Sequence, residues 1–187
     1  MMMTLCVCVF MGGLISFYSI HQSRVSYKRL AWNYMVDIAL AYGRQVENLL
    51  DQGGSLDSGV LEHILMNANL EGVESSYTYI VDSEGNMLYH PDKDKIGKSV
   101  ENVIVKSYIQ DLKSGIKHDT YVVEYDYNGS IKYAACYTDE NGRFILVVSA
   151  DDDDVLRDSA SLIVRVTAIS LLIGCLLYTS PSPRDTR

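Results

Sequence analysis

Cysteine is scarce in this 187-residue chain, and the residue patterns of common catalytic sites are missing from it. Only one of the four cysteines, Cys136, lies between residues 22 and 161, so that region cannot close an internal disulfide. There is no nucleophile–base motif, no phosphate-binding glycine loop and no zinc signature, so we expect neither enzymatic activity nor a cofactor. Besides His90, the histidines are His21, His63 and His118, and their spacing does not suggest shared metal coordination.

Positive charge is also in short supply. The chain has 16 Lys and Arg against 24 Asp and Glu, a formal net charge of −8. This balance disfavours nucleic acid or anionic lipid as a partner. Most of the acidic residues lie between two apolar segments, in a stretch of about 140 residues that is long enough for one domain and too short for two.

Charge is absent altogether from Met1 to Ile20. About 20 apolar residues are what a helix needs to cross the hydrocarbon core of a membrane. A cleaved signal peptide is the alternative, but the segment has no basic n-region and no small-x-small cleavage site before His21. We therefore assign residues 1–21 to a first transmembrane helix that is retained as an anchor.

A second apolar segment runs from Leu162 to Tyr178 and contains one charged residue, Arg165, close enough to its edge to extend toward the headgroups. We assign residues 162–178 to a second, truncated transmembrane helix and residues 22–161 to one extracytoplasmic domain. The sequence thus predicts a two-pass protein of the plasma membrane.

The charge distribution by itself favours the opposite orientation. Arg24, Lys28 and Arg29 follow the first span directly, and a strict positive-inside count would place their side in the cytoplasm. Long loops, however, translocate largely regardless of charge, so the orientation is not decided by this count.

The composition changes abruptly after Leu177 to a tail with two closely spaced prolines. Roughly from Cys175 onward, the sequence resembles a translated sequencing adapter. We expect residues 179–187 to be non-native and the natural protein to continue into a cytoplasmic part.

Periodicity and turn residues predict the elements of the central domain. We expect a long helix at 27–50, a second helix capped by Asp57 and ending near Asn69, and a third at 100–113. Strands are expected at 76–82, 87–90, 120–127, 131–137 and 143–150, and a last helix is expected to start within 151–154. Short turns between strands force antiparallel pairing.

Several of these residues together resemble the single Cache domain family, whose members fold like an enlarged PAS domain. The resemblance is carried by the hairpin Asp82-x-x-Gly85, the pair His90-Pro91, the turn Ile96-Gly97-Lys98, and Tyr133-Ala134 before a last strand and an exit helix. One departure is Arg143-Phe144 at the start of the last strand, where many members place Trp.

The resemblance implies an α+β, membrane-anchored domain with a long N-terminal helix packed on an antiparallel sheet of about five strands, flanked by two transmembrane helices. It further implies a bacterial methyl-accepting chemotaxis receptor that is a homodimer, binds an organic acid, amino acid or similar solute, and continues into HAMP and signalling domains. Sensor histidine kinases and diguanylate cyclases use similar outer domains, and a ligand-free structural module is a further alternative.

The hairpin contains the first group of candidate site residues. The Asp82 carboxylate can accept hydrogen bonds from turn amides, and Gly85 permits the positive φ that such a turn needs. Pro91 holds His90 in an extended conformation, so its imidazole has a fixed direction. His90 is therefore either a ligand contact or a partner of backbone groups in the following loop; Gly97 belongs to the structural motif.

Tyrosine is abundant, with 14 residues against three phenylalanines. The tyrosines that we expect in a ligand pocket are Tyr77, Tyr79, Tyr125 and Tyr133. A sheet face rich in phenols can provide apolar walls and hydroxyl donors, although cross-strand packing explains the same pattern. Arg143 is the candidate for a bidentate contact with an acidic ligand, and the candidate lysines are Lys93, Lys95, Lys98 and Lys132.

The run Asp151 to Asp154 suggests calcium binding at first sight. Calcium needs six to eight oxygens arranged by a looped backbone, whereas four consecutive carboxylates at a strand-to-helix junction diverge. We therefore interpret this run as a solvated helix start.

Overall fold

The structure is a computed structural model and describes residues 2–157, 164–169 and 172. The helices are α1 (Met2–Asp51), α2 (Ser58–Leu65), α3 (Val103–Lys113) and α4 (Asp152–Val155), with a 3-10 turn at Lys93–Lys95. The strands are β1 (Tyr77–Asp82), β2 (Met87–Tyr89), β3 (Val122–Tyr127), β4 (Ser130–Thr138) and β5 (Phe144–Asp151). This order confirms the predicted α+β class, with a long N-terminal helix and five antiparallel strands.

Two compact units make up the chain, one formed by Met1–Tyr27 and Leu156–Arg187 and the other by Lys28–Val155. In the first unit, residues 2–27 and 164–169 are helical. No helix within the described residues combines the length and apolar character needed to cross a membrane. The predicted second span lies largely outside the described residues, and the tail at 179–187 lies wholly outside them.

The second unit is built around a sheet with strand order β2-β1-β5-β4-β3, antiparallel throughout. The central strand, β5, is buried at every position from Phe144 to Ala150. A strand covered on both faces needs apolar residues at successive positions, which explains why its sequence does not alternate.

One face of the sheet packs against α1. The α1 residues Met35, Ala39 and Val46 are fully buried and share a core with Leu146 and Val148 of β5. Burial of each larger aliphatic side chain contributes about 1.5–3 kcal/mol relative to exposure. This packing holds the long helix on the sheet.

The opposite face packs against α3, through Val105 and Ile109 of the helix and Val81 and Val147 of the sheet. The helix begins at Val103, three residues later than predicted, because Asn102 is its N-cap: the Asn102 side chain accepts a hydrogen bond from Ile104 N at 2.9 Å.

The second helix is shorter than predicted. It ends at Leu65 because the backbone beyond it bonds the start of β1: Ala68 O accepts from the Thr78 hydroxyl, and Leu70 N donates to Ser76 Oγ at 2.9 Å. Asp57 stands at the predicted N-cap position and its backbone oxygen accepts from Leu61 N at 3.0 Å, but its carboxylate makes no capping bond and accepts from the Ser55 hydroxyl.

Candidate functional site

A cavity of about 160 Å³ lies on the sheet face opposite α1. A cavity of this order can hold a molecule the size of benzene. Its aromatic wall residues are Tyr77, Tyr79, His90, Tyr125 and Tyr127; its charged ones are Lys95, Lys98, Glu101 and Lys132; the others are Met87, Ser99, Val100 and Asn102. The structure thus brings together four of the six predicted tyrosine, histidine and arginine site residues, Tyr77, Tyr79, His90 and Tyr125. Of the four candidate lysines, it places Lys95, Lys98 and Lys132 in the wall but not Lys93.

Three rings form a cluster in the cavity wall. The centroid of His90 lies 5.1 Å from that of Tyr77 and 5.7 Å from that of Tyr79, and the two tyrosine centroids are 6.0 Å apart. Tyr77 and Tyr79 share a face because side chains two residues apart on a strand point the same way. Such separations are typical of favourable aromatic pairs.

His90 has one ring nitrogen bonded to backbone. The Asp92 N–H donates to Nδ1 of His90 at 2.9 Å, which is the loop contact that one of the two interpretations of His90 predicts. In the neutral ring the proton therefore lies on Nε2. None of the described residues hydrogen-bonds Nε2, so this N–H remains as a donor for a molecule in the cavity.

The electrostatic environment keeps His90 neutral. Burial, and then the nearby Lys95, lower the pKa of His90 below its ordinary value of 6.5. Burial raises the pKa of Tyr79 well above 10 and the pKa of Tyr125 to about 12. His90, Tyr79 and Tyr125 are therefore uncharged hydrogen-bonding groups at neutral pH.

Asn102 connects the cavity to α3. Its side-chain oxygen caps the helix, while its Nδ2 donates to the Tyr79 hydroxyl at 3.3 Å. Asn102 is 8% exposed and Tyr79 is 4% exposed, so the bond is shielded from water. One amide therefore fixes both the helix start and the position of a cavity tyrosine.

The charged part of the wall is mainly cationic. No described residue forms an ion pair with Lys95 or Lys98. Lys132 pairs with Asp151 at 2.6 Å, and the single acidic residue of the wall, Glu101, accepts from the Tyr127 hydroxyl at 3.2 Å. A cationic cavity in a chain of net charge −8 favours a ligand with negative charge.

The turn at 96–98 builds one side of the cavity by pairing with β2. Gly97 N donates to Met87 O at 2.8 Å, and Met87 N donates to Lys98 O at 2.9 Å. Gly97 has φ +80°, which explains glycine at this position. Pro91 precedes this turn and follows His90 directly.

The turn between β1 and β2 is stabilised by hydrogen bonds to the Asp82 carboxylate. Its Oδ1 accepts from Glu84 N at 2.9 Å and from Asn86 N at 2.8 Å, and Gly85 has φ +91°. Partial burial tends to raise the pKa of the Asp82 carboxyl, but the hydrogen bonds from Asn86 and Glu84 outweigh it, so this pKa lies below its ordinary value. Asp82 and Gly85 therefore shape the turn that precedes β2.

Tyr133 lies apart from the cavity. It is fully buried on the α1 face, where its ring centroid is 5.6 Å from that of Trp32 and its hydroxyl donates to Asp152. On β4 the neighbouring residue, Ala134, points to the α3 face instead. The alternation of residues along a strand predicts which side chains share a face of the sheet. It does not predict which of the two faces borders the cavity.

Arg143 also lies apart from the cavity. It forms a bidentate pair with Asp139, with Nε–Oδ2 and Nη2–Oδ1 distances of 2.8 Å, and contacts Asp51 of α1 at 2.8 Å. The Asp139 side chain is 0% exposed. Arg143 therefore ties the β4–β5 turn to the end of α1.

Asn102 and Glu101 were not among the predicted site residues. An Asn directly before a helical apolar pattern is a signal for an N-cap, but it does not reveal a contact with a distant tyrosine.

The interpretation of 151–154 as a solvated helix start was wrong in part. A helix does start at Asp152, but Asp154 is 8% exposed and accepts from Ser75 N at 2.7 Å.

No protein-family model matches this sequence, and neither does any curated protein. Among solved structures, the chain is similar to the ligand-binding domain of Mlp24 with asparagine, at 11% identity over 55% of this chain and 38% of that one, with a TM-score of 0.40. It is similar to the ligand-binding domain of the Pseudomonas aeruginosa amino acid chemoreceptor PctC in complex with GABA, at 20% identity over 50% and 38%, with a TM-score of 0.35.

The E. coli DcuS sensor domain is a third similar structure, at 14% identity over 70% of this chain and 90% of that domain, with a TM-score of 0.39. The chain spans less than half the length of the Mlp24 and PctC domains. All three TM-scores are below 0.5.

Proposed function

We propose that residues 22–161 form an extracytoplasmic sensor domain that binds one small solute carrying a carboxylate, an organic acid or an amino acid, in the cavity beside Tyr77, Tyr79 and His90. The observation that carries this proposal is the make-up of the cavity wall. It combines an aromatic ring cluster with uncharged donors and with two lysines, Lys95 and Lys98, that have no ion-pair partner among the described residues.

The size of the cavity limits the ligand. At about 160 Å³, it suits a molecule of a few heavy atoms and is smaller than the pockets of about 300–1,000 Å³ that hold drug-sized ligands. Buried polar groups need partners, and a carboxylate in the cavity can accept from the Nε2–H of His90 and from lysine ammonium groups.

The proposal extends to the membrane anchors of this domain and to the class of receptor that carries it. Residues 1–21 and 162–178 anchor the domain in the plasma membrane, and the domain is of the single Cache type in a homodimeric methyl-accepting chemotaxis receptor. A sensor histidine kinase or a diguanylate cyclase would carry the same outer domain. Signalling then consists of a ligand-dependent change in the helices that enter the membrane, which requires different affinities in the two states.

A thermal-shift titration of the full chain, solubilised in detergent, tests ligand binding. The probes are acetate, succinate and L-alanine, each paired with the compound in which the carboxylate is replaced by an amide. A probe at about 100 times its dissociation constant adds about 2.7 kcal/mol to the free energy of unfolding, which raises the Tm of a chain of this size by about 5–10 °C. We expect a shift with at least one acid and none with its amide.

The same titration with Tyr79→Phe and His90→Gln locates the site. Both substitutions are expected to weaken the shift, whereas the matched changes Tyr34→Phe on α1 and His63→Gln on α2, which lie outside the cavity wall, leave it unchanged. Equal shifts in all four variants would contradict binding in this cavity, and no shift with any probe would favour a ligand-free module.

A further inference from the structure

The cavity is connected to the exit of the domain by one ion pair. Lys132 lines the cavity and contacts Asp151 Oδ1 through Nζ at 2.6 Å. The two residues are direct cross-strand partners, and their side chains are only 17% and 34% exposed. Asp151 is the last residue of β5, and α4 begins at the next residue.

The same junction is bonded to the residues that precede β1. The backbone N–H of Asp151 donates to Ser75 Oγ at 3.1 Å, and Ser75 N donates to Asp154 Oδ2 at 2.7 Å. Ser75 stands two residues before Tyr77, which is part of the ring cluster in the cavity. The start of α4 is therefore held by contacts that lie next to the cavity.

We infer that Lys132 transmits ligand binding to the β5–α4 junction, because a carboxylate in the cavity competes with Asp151 for the Lys132 ammonium group. This inference rests on the proposed function, since it needs an anionic ligand in the cavity. It names the residue pair, Lys132 and Asp151, through which a ligand in the cavity affects the β5–α4 junction.

The competition follows from elementary electrostatics. The ligand carboxylate and the Asp151 carboxylate repel each other in a partly buried site where screening is weak, and a Lys132 ammonium group that moves toward one carboxylate moves away from the other. Ligand binding therefore weakens the Lys132–Asp151 pair. By reciprocity, weakening of that pair by substitution must tighten ligand binding.

This reciprocity gives opposite predictions for the two partners. Asp151→Asn frees the Lys132 ammonium group for the ligand, and we expect it to lower the dissociation constant for succinate or acetate about fivefold or more. Lys132→Met keeps most of the apolar stem and removes the charge, and we expect it to raise the dissociation constant about tenfold or more. Lys132→Arg also changes the side chain but keeps the positive charge, so a loss of affinity in Lys132→Met that is absent from Lys132→Arg is due to the charge and not to misfolding.

Asp153→Asn is the matched control for long-range electrostatics. Asp153 is exposed, lies two residues from Asp151 and is not part of the cavity wall, yet its substitution changes the net charge by the same amount. We expect its dissociation constants to stay within about twofold of the wild-type values, since exposed charges at a distance are screened by salt.

Amide hydrogen exchange distinguishes this role from a purely structural one, because a purely structural ion pair would leave the exchange rates at the junction independent of ligand. In the full chain, saturating succinate should speed exchange at the Asp151 and Ser75 amides, which bond across the junction. In Asp151→Asn without ligand, the Ser75 amide should already exchange faster, and succinate should add little.

The outcomes separate the two levels of the argument. If none of succinate, acetate and L-alanine binds the wild-type chain, the proposed carboxylate sensor and this inference both fail. If the wild type binds and Asp151→Asn binds equally well or more weakly, the inference fails and the sensor proposal stands. Tighter binding by Asp151→Asn, with Asp153→Asn unchanged, supports the inference.

Discussion

The backbone N–H of Asp92 donates a hydrogen bond to Nδ1 of His90 at 2.9 Å. Protonation of His90 would add a hydrogen to Nδ1, which carries none in the neutral ring; this hydrogen would face the Asp92 N–H and break the bond. Burial and the positive charge of Lys95 already lower the pKa of His90 below 6.5. The fold therefore selects the neutral ring.

This preference predicts a pH dependence of stability. Between the lowered pKa in the folded state and the ordinary value of 6.5 in the unfolded state, the unfolded chain binds more protons at this residue. The stability is thus fully present above pH 6.5 and is lost as the pH falls through the folded pKa. His90→Gln lacks this dependence.

The measurement is the free energy of unfolding of wild type and His90→Gln at a series of pH values from 7.5 down to 5. The other histidines and the carboxylates are common to both proteins and cancel in the difference. We expect the wild type to lose stability relative to the variant on acidification; parallel curves would contradict a lowered His90 pKa.

Two substitutions at Asn102 should separate its roles. Asn102→Ala removes the N-cap of α3 and the bond to Tyr79, and we expect it to lower the free energy of unfolding by about 1–2 kcal/mol. Asn102→Asp keeps a good cap and adds a negative charge to the cavity wall. It should fold with near-wild-type stability but bind the acidic probes more weakly, which thermal unfolding and calorimetric titration would show.

Gly43 allows α1 to lie close to β4. A Cβ at this position would overlap the ring of Tyr137. Alanine improves helix propensity by about 1 kcal/mol but overpacking costs about 1–3 kcal/mol, so Gly43→Ala should destabilise the domain by about 1 kcal/mol. Gly59→Ala in α2 is the control, because no atom lies within 4 Å of its added Cβ.

In that control we expect unchanged or higher thermal stability. If Gly43→Ala proved as stable as Gly59→Ala, the close packing of α1 against Tyr137 would be wrong.

Arg143 should act on stability and leave ligand affinity unchanged. Arg143→Met leaves the buried Asp139 carboxylate without its bidentate partner and should lower the Tm more than Lys113→Met, which breaks the exposed pair with Glu84. Calorimetry should give the same affinity for the acidic probes in both variants, because neither residue lines the cavity. A selective loss of affinity in Arg143→Met would place it in the ligand site after all.

Much of the fold could be predicted because local patterns and packing agree. Alternation in β1 gave the face shared by Tyr77 and Tyr79, and the turn residues gave the hairpins: Asn128 and Gly129 have φ of +56° and +85°, the two positive values that a type I′ turn needs. The ring cluster with His90 could be anticipated from the same periodicity together with the extended conformation imposed by Pro91.

Other features depend on contacts between distant residues, which periodicity does not encode. Tyr133 and Arg143 fit the pattern of site residues, but the register of β4 on β5 places Tyr133 under α1, and the partners of Arg143 are Asp139 and Asp51. The early end of α2 has the same origin, since bonds from β1 use the backbone beyond it.

A calorimetric titration of the full chain tests the central claim most directly. The titrants are the standard amino acids and short mono- and dicarboxylic acids, applied to wild type and to Ser99→Trp. Ser99 is an exposed residue of the cavity wall, where a large side chain can fill the cavity without disturbing the core. We expect at least one acid to bind the wild type with one site per chain and to lose that binding in Ser99→Trp; undiminished binding in the filled variant, or no binding by any acid, would contradict a carboxylate site in this cavity.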